Sequence, residues 1–236
     1  MQSAAFIIAL FKFVLLIFSL SFHECAHAWM ASRLGDQTAR LQGRVTLNPM
    51  YHVDPVGTII FPALMIFGPI FGLGMGSMLV GWAKPTPVIS RNFRKITRDE
   101  NLVTLAGPVS NLILVFIALA ILIVISIAVP GGRDLVMGTL SGGLMQGPGS
   151  GLQSVALLSF LAILINLSLF FFNLLPIPPL DGSRVLRNML PYNTAQAYDR
   201  IGGIFSWILM IFVGGFVLRL LLGPSLEVIY SILLRV

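Results

Sequence analysis

Charge is scarce in this 236-residue chain: only 10% of its residues are Asp, Glu, Lys or Arg, against about 25% in a typical soluble domain. Hydrophobic residues make up 56%, and the mean hydropathy is +0.92. That balance excludes an ordinary water-soluble enzyme, and it excludes intrinsic disorder. Cysteine is nearly missing. The single Cys25 rules out an internal disulfide and any cysteine-based zinc cluster. Histidine is limited to three residues, too few for a di-iron membrane oxidase. No internal repeat is visible, and no stretch is polar enough to form an appended soluble domain. Transporters usually show paired repeats. A transporter or channel stays as an alternative reading, because broken apolar segments and intramembrane charges fit it in part.

What the chain has instead is long apolar runs. Residues 4–20, 112–129, 152–175 and 204–222 are nearly free of charge, and a membrane span needs roughly 20 apolar residues. Residues 1–20 lack a basic leading region and a small-residue cleavage site, so they read as a mature helix. The expected fold is an all-α polytopic membrane protein with about four to five transmembrane helices. The net charge is +6. Eleven of the fifteen basic residues fall in three loops, around Arg33–Arg44, Lys84–Arg98 and Arg184–Arg200. In a soluble protein this excess would suggest nucleic acid. Here it reads as the positive-inside rule plus anionic headgroups, which puts these loops in the cytoplasm and leaves nucleic acid out.

The expected helices run over about 4–32, 102–129, 152–174 and 203–222. The tail 225–236 is too short to span and is expected along the interface. Residues 38–48 alternate with period two around Gly43, which predicts a short hairpin or paired extended segments. Residues 56–82 are apolar but interrupted by Pro62, Pro69 and six glycines. Both flanking loops are basic, so a re-entrant segment fits better than a crossing. Lys84-Pro85-Thr86-Pro87-Val88 should be extended, because each residue before proline is pushed out of the helical region. Residues 130–151 read as a Gly/Ser-rich outer loop. Trp29 and Trp82 read as interface anchors. The whole, 1–236, reads as one domain: a core over about 4–183, then the fifth helix and tail over 184–236.

The chemistry concentrates in His23-Glu24-Cys25-Ala26-His27. At about 100° per residue, the two histidines lie about 40° apart, one turn removed, and both can reach one metal ion. Glu24 flanks that stripe. This is the H-E-x-x-H pattern, with two imidazoles on Zn²⁺ and a carboxylate as general base. Ionisable residues inside a membrane helix are costly and read as functional. Cys25 points away from His23 and reads as packing. A zinc site with an open position needs a third protein ligand. Asp134 and Glu227 are expected on the outer side. Asp36, Asp99, Glu100 and Asp199 read as turn or solvated charges. Asp181 follows Asn173-Leu-Leu-Pro-Ile-Pro-Pro-Leu, whose prolines end a helix and allow the chain to turn back into the bundle. Asp181 is therefore the expected third ligand, with His52 the alternative. His52 and Asp54 otherwise brace their loop or support the metal ligands from behind.

The chain resembles the site-2 proteases, intramembrane zinc metalloproteases of peptidase family M50. The motifs that carry the resemblance run from Phe22-His-Glu-Cys-Ala-His-Ala28 through Leu47-Asn-Pro49 with His52 and Asp54-Pro55. Gly81-Trp-Ala-Lys-Pro85, Ala106-Gly-Pro-Val-Ser-Asn111 and Asn173-Leu-Leu-Pro through Asp181-Gly182 follow. The resemblance implies one Zn²⁺ per chain, held by His23, His27 and Asp181, with Glu24 as catalytic base. It also implies that Asn173 and Asn111 line the site and hold the substrate backbone or the tetrahedral intermediate. The implied partners are a transmembrane protein substrate and the lipid bilayer, and the compact chain fits a prokaryotic plasma membrane, with the site towards the cytoplasm. Such a substrate must unwind to be cut, and residues 38–48 and 84–88 are candidate strand edges for the unwound segment. A non-proteolytic substrate-binding homologue is the other alternative. The PDZ domain, CBS pair and extra N-terminal helix of larger family members are not seen in this sequence.

Overall fold

In a computed structural model of the chain, residues 2–73, 81–142, 151–200 and 203–236 are described. The described residues are helical or irregular. The helices are α1 (Gln2–Leu34), α2 (Thr38–Leu41), α3 (Phe61–Phe67), α4 (Ile96–Ala128), α5 (Gly132–Leu140), α6 (Gly151–Asn173), α7 (Asp181–Met189), α8 (Tyr192–Asp199) and α9 (Ile204–Arg235). Four of them, α1, α4, α6 and α9, are long and apolar enough to cross a membrane. Each carries a nearly uncharged run, and the helical form pairs most of its backbone groups within the segment, as hydrocarbon requires, with interruptions at Pro108 of α4 and Pro224 of α9.

α4 is the central element and packs along both α1 and α6. At one end, α4, α5, α6 and α9 close around Leu122, Val136, Ile163 and Leu233, all essentially buried. At the other end, Leu16 and Leu20 of α1 meet Ile165 of α6 and Ala83. Leu175, Ile177 and Leu180, in the turn after α6, pack on Met210 of α9. The C-terminal part of α1, the N-terminal part of α4 and the C-terminal end of α6 therefore share one end of the bundle, with α7 laid across it.

Two expectations are corrected. Among the described residues there is no β-strand: Thr38–Leu41 form one helical turn, and residues 42–48 are turn and irregular backbone. The Asp36 carboxylate accepts from Thr38 N and Thr38 Oγ1 and starts α2. Gly43, at φ +71°, ends it, with Arg44 N bonded to Ala39 O and Gly43 N to Arg40 O, a Schellman closure. Local side-chain bonding overrode the alternating pattern. Second, the tail is not a separate interfacial piece. α9 runs on through Pro224 to Arg235, because Ile229 and Leu233 are held in the core of the far end. Trp82 stands against Gly57 and Phe61, and Trp29 is exposed with the Arg33 guanidinium over its ring.

The interrupted segment forms a π-helical turn over Pro55–Ile60, then α3 and a 3₁₀ turn over Gly68–Phe71. Its apolar helical stretch, Pro55–Phe71, is shorter than a span. The rest of it, 74–80, and residues 143–150 of the expected outer loop lie outside the described residues; α5 occupies the first part of that loop.

Candidate metal centre

His23 and His27 lie one turn apart on α1, and both are buried. Their Nε2 atoms are 3.0 Å apart. Asp181, the first residue of α7, brings Oδ2 to 3.1 Å from His23 Nε2 and 3.4 Å from His27 Nε2. Among the described residues, these three form the one cluster of ligand-type side chains close enough to share an ion. A tetrahedral site with ligand bonds of about 2.0 Å has ligand–ligand edges of about 3.3 Å, and the three spacings bracket that value.

The protonation pattern points the same way. His27 Nδ1 lies 2.7 Å from the backbone carbonyl of Val103. A carbonyl only accepts, so Nδ1 carries a proton and the neutral ring presents its Nε2 lone pair inward. His23 Nδ1 likewise faces Asn111 Oδ1 at 2.6 Å. Two lone pairs and a carboxylate oxygen thus converge, and that Asp181 Oδ2 is buried with no hydrogen-bond partner. An anion and two inward lone pairs fit a divalent cation, and N₂O is a normal zinc donor set.

Behind the ligands runs a polar chain. Asn111 Nδ2 donates to Asn166 Oδ1, and Asn166 Nδ2 donates to Ser19 Oγ and Ala162 O. Asn111 and Asn166 are both fully enclosed. Such partners fix ring orientation and tautomer. α4 approaches the rings closely because it has Gly107 there: a Cβ would fall 2.4 Å from His27 Nε2 and 2.6 Å from His23 Cε1. Pro108 follows, and its missing amide leaves Thr104 C=O without its helical partner.

In front of the ligands is a cavity of about 520 Å³, lined by His23, Glu24, His27, Asn173 and Asp181. The Glu24 carboxylate accepts from Thr86 N at 2.9 Å and from Thr86 Oγ1 at 2.8 Å, both on Oε2. Asn173 stands at the end of α6, with Nδ2 donating to Leu169 O.

The structure thus brings together His23, Glu24, His27, Asp181 and Asn173. It does not bring His52 to the cluster. That ring is buried in its own loop, with Nε2 2.8 Å from Thr46 O. Asp54 caps the π-helical turn by accepting from Val56 N and Gly57 N. Asn111 is set behind His23, away from the cavity where the resemblance would have it meet substrate. Thr86, the Val103 carbonyl and Ser19 were not foreseen. Helix periodicity marks which face of α1 carries the histidines, but nothing in it says which backbone or side chain packs behind them.

The model of peptidase family M50 matches residues 11–216. The chain is 37% identical over 227 residues to YwhC of Bacillus subtilis (strain 168), a protein that bears the name zinc metalloprotease. That match covers 93% of this chain and 89% of YwhC. It is 31% identical over 179 residues to Rip2 of Mycobacterium tuberculosis, named in the same way, covering 76% of this chain and 57% of Rip2. Rip2 of Mycolicibacterium smegmatis is 28% identical over 181 residues, covering 77% of this chain and 58% of that relative. The chain thus spans a little over half the length of the Rip2 proteins. No solved structure matches it.

Proposed function

The chain belongs to peptidase family M50, and from that premise we propose that it is an intramembrane protease of the site-2 type. It is a zinc metalloprotease, with Zn²⁺ as its cofactor. The finer reading is that it hydrolyses peptide bonds in or near transmembrane segments of membrane-protein substrates. One observation carries it: the cluster of His23, His27 and Asp181 opens, beside Glu24, onto a cavity walled by the membrane-spanning helices α1, α4 and α6.

His23, His27 and Asp181 would hold the zinc, which supplies Lewis-acid polarisation of a carbonyl and makes water acidic enough to ionise near neutral pH. The imidazoles stay neutral and oriented, because Asn111 and Val103 accept their Nδ1 protons. Glu24 takes the proton of the attacking water and delivers it to the leaving amine. Asn173 lines the same cavity with one amide N–H on Leu169 and a second for the substrate backbone. Leu20, Leu169 and Phe172 give the cavity an apolar side, and Glu100, Arg184, Arg187 and Asn188 line it as well. The basic loops at this end support a site facing the cytoplasm of a prokaryotic plasma membrane.

The test is cleavage of a single-span membrane substrate by purified protein, with and without a zinc chelator. Glu24→Gln should lose at least about 100-fold in rate while keeping its zinc. Wild-type cleavage by Glu24→Gln, or full activity in chelator, overturns the reading.

A further inference from the structure

Glu24 projects from α1 on a flexible side chain, yet its carboxylate is tied at one oxygen. The tie comes from a segment 62 residues away in sequence. We propose that Thr86 is a positioning residue for Glu24, clamping Oε2 so that Oε1 is left aimed for proton transfer. This rests on Glu24 being the general base.

Three features make the clamp stiff. First, it is double. The Thr86 amide and hydroxyl converge on Oε2 at 2.9 and 2.8 Å. The hydroxyl also lies 3.1 Å from the Glu24 backbone carbonyl, but its one proton favours the charged oxygen. Second, Thr86 stands between Pro85 and Pro87. Proline fixes its own φ and pushes the residue before it into extended backbone, so the direction of the Thr86 N–H is set locally. Third, the segment is fastened on both sides. Lys84 N donates to His52 O at 2.8 Å, and Trp82 N donates to Gly57 O at 3.0 Å. Ile89 N and Asn92 Nδ2 donate to the Asp36 carboxylate at 2.7 and 2.8 Å. Thr86 is itself buried, which strengthens both bonds relative to water.

The same arrangement changes what segment 84–88 can offer a substrate. Pro85 and Pro87 have no N–H, and the N–H groups of Lys84 and Thr86 are occupied. Over residues 84–87 a substrate strand would therefore pair through carbonyl oxygens rather than through N–H donors.

The experiment compares Thr86→Val, Thr86→Ala and Thr86→Ser in the full chain, with Glu24→Gln alongside. Val and Ala both delete the hydroxyl, at similar and at smaller volume. Each should lower kcat about 10- to 100-fold, the scale of a misaligned catalytic group, with KM and zinc content close to wild type. Thr86→Ser restores the hydroxyl and should recover most of kcat. Wild-type kcat in both Val and Ala variants overturns the proposal. So does loss of zinc from both, which would mark Thr86 as a packing residue, and so does a Ser variant as slow as Val. Activity in Glu24→Gln instead overturns the general-base reading itself, whatever the Thr86 variants do.

Discussion

Gly107 shows how finely single residues set this centre. Its missing side chain lets α4 lie against both imidazoles, and Gly182 does the same beneath α6, where a Cβ would sit 2.1 Å from the Leu174 carbonyl oxygen. Both contacts press Asp181 and the histidines together. Gly107→Ala would push a methyl group into His27 Nε2, a ligand atom rather than a yielding chain end. Asp181→Asn removes the anion but keeps the volume. Each should lower the zinc content of purified protein by at least about 10-fold under limiting zinc, as expected when the ligands or their supports are disturbed. Metal analysis against wild type checks it. Normal zinc in Asp181→Asn would show that the centre does not depend on this carboxylate.

At the scale of elements, the end of α1 and the segment 84–92 are joined through Asp36. Its buried carboxylate accepts from Thr38 N, Thr38 Oγ1, Ile89 N and Asn92 Nδ2. Burial alone would raise its carboxyl, but the donors from Ile89, Thr38 and Asn92 outweigh that and lower it. A carboxylate whose folded pKa is depressed stabilises the fold above its unfolded value of about 3.9. That contribution fades as pH falls through the folded value. Asp36→Asn should therefore lower Tm at neutral pH, with a cost of about 1–3 kcal/mol for the donors left unpaired. The gap between the variant and wild type should shrink as pH drops below about 4. Thermal unfolding in detergent at pH 7 and in steps below pH 4 reads this directly. A gap that stays constant with pH would mean that Asp36 acts through packing alone.

At the scale of the whole molecule, the ends of α1 and α6 and the start of α4 meet at the candidate metal centre, and the first part of α9 packs on the turn that leads to Asp181. The basic loops sit at that end. The turn carrying Asp134 sits at the other, beyond the far end of α4. The single native cysteine makes this orientation easy to test. In a Cys25→Ser background, cysteines placed at Arg94 and Arg184 should react with a membrane-impermeant thiol reagent only from the cytoplasmic side. One at Asp134 should react only from outside. Labelling of all three from one side would overturn the topology.

Much of the protein is legible along the chain. The scarcity of charge and the lengths of the apolar runs specify a bundle of spanning helices, because hydrocarbon forces each run to satisfy its own backbone. The i, i+4 spacing of His23 and His27 puts two ligands and Glu24 on one helical turn, because that geometry is local. The run of prolines after Asn173 explains how Asp181 returns to the bundle. Tertiary structure decided the rest. It placed Asp181 and not His52 beside the two histidines, Asn111 behind His23 rather than in the cavity, and Thr86 on Glu24. It also turned an alternating stretch into a capped helical turn at Asp36 and carried α9 past Pro224. Each of these depends on which surfaces meet across the bundle, and a contact between residues 62 or 88 positions apart leaves no periodic trace in the sequence of either partner.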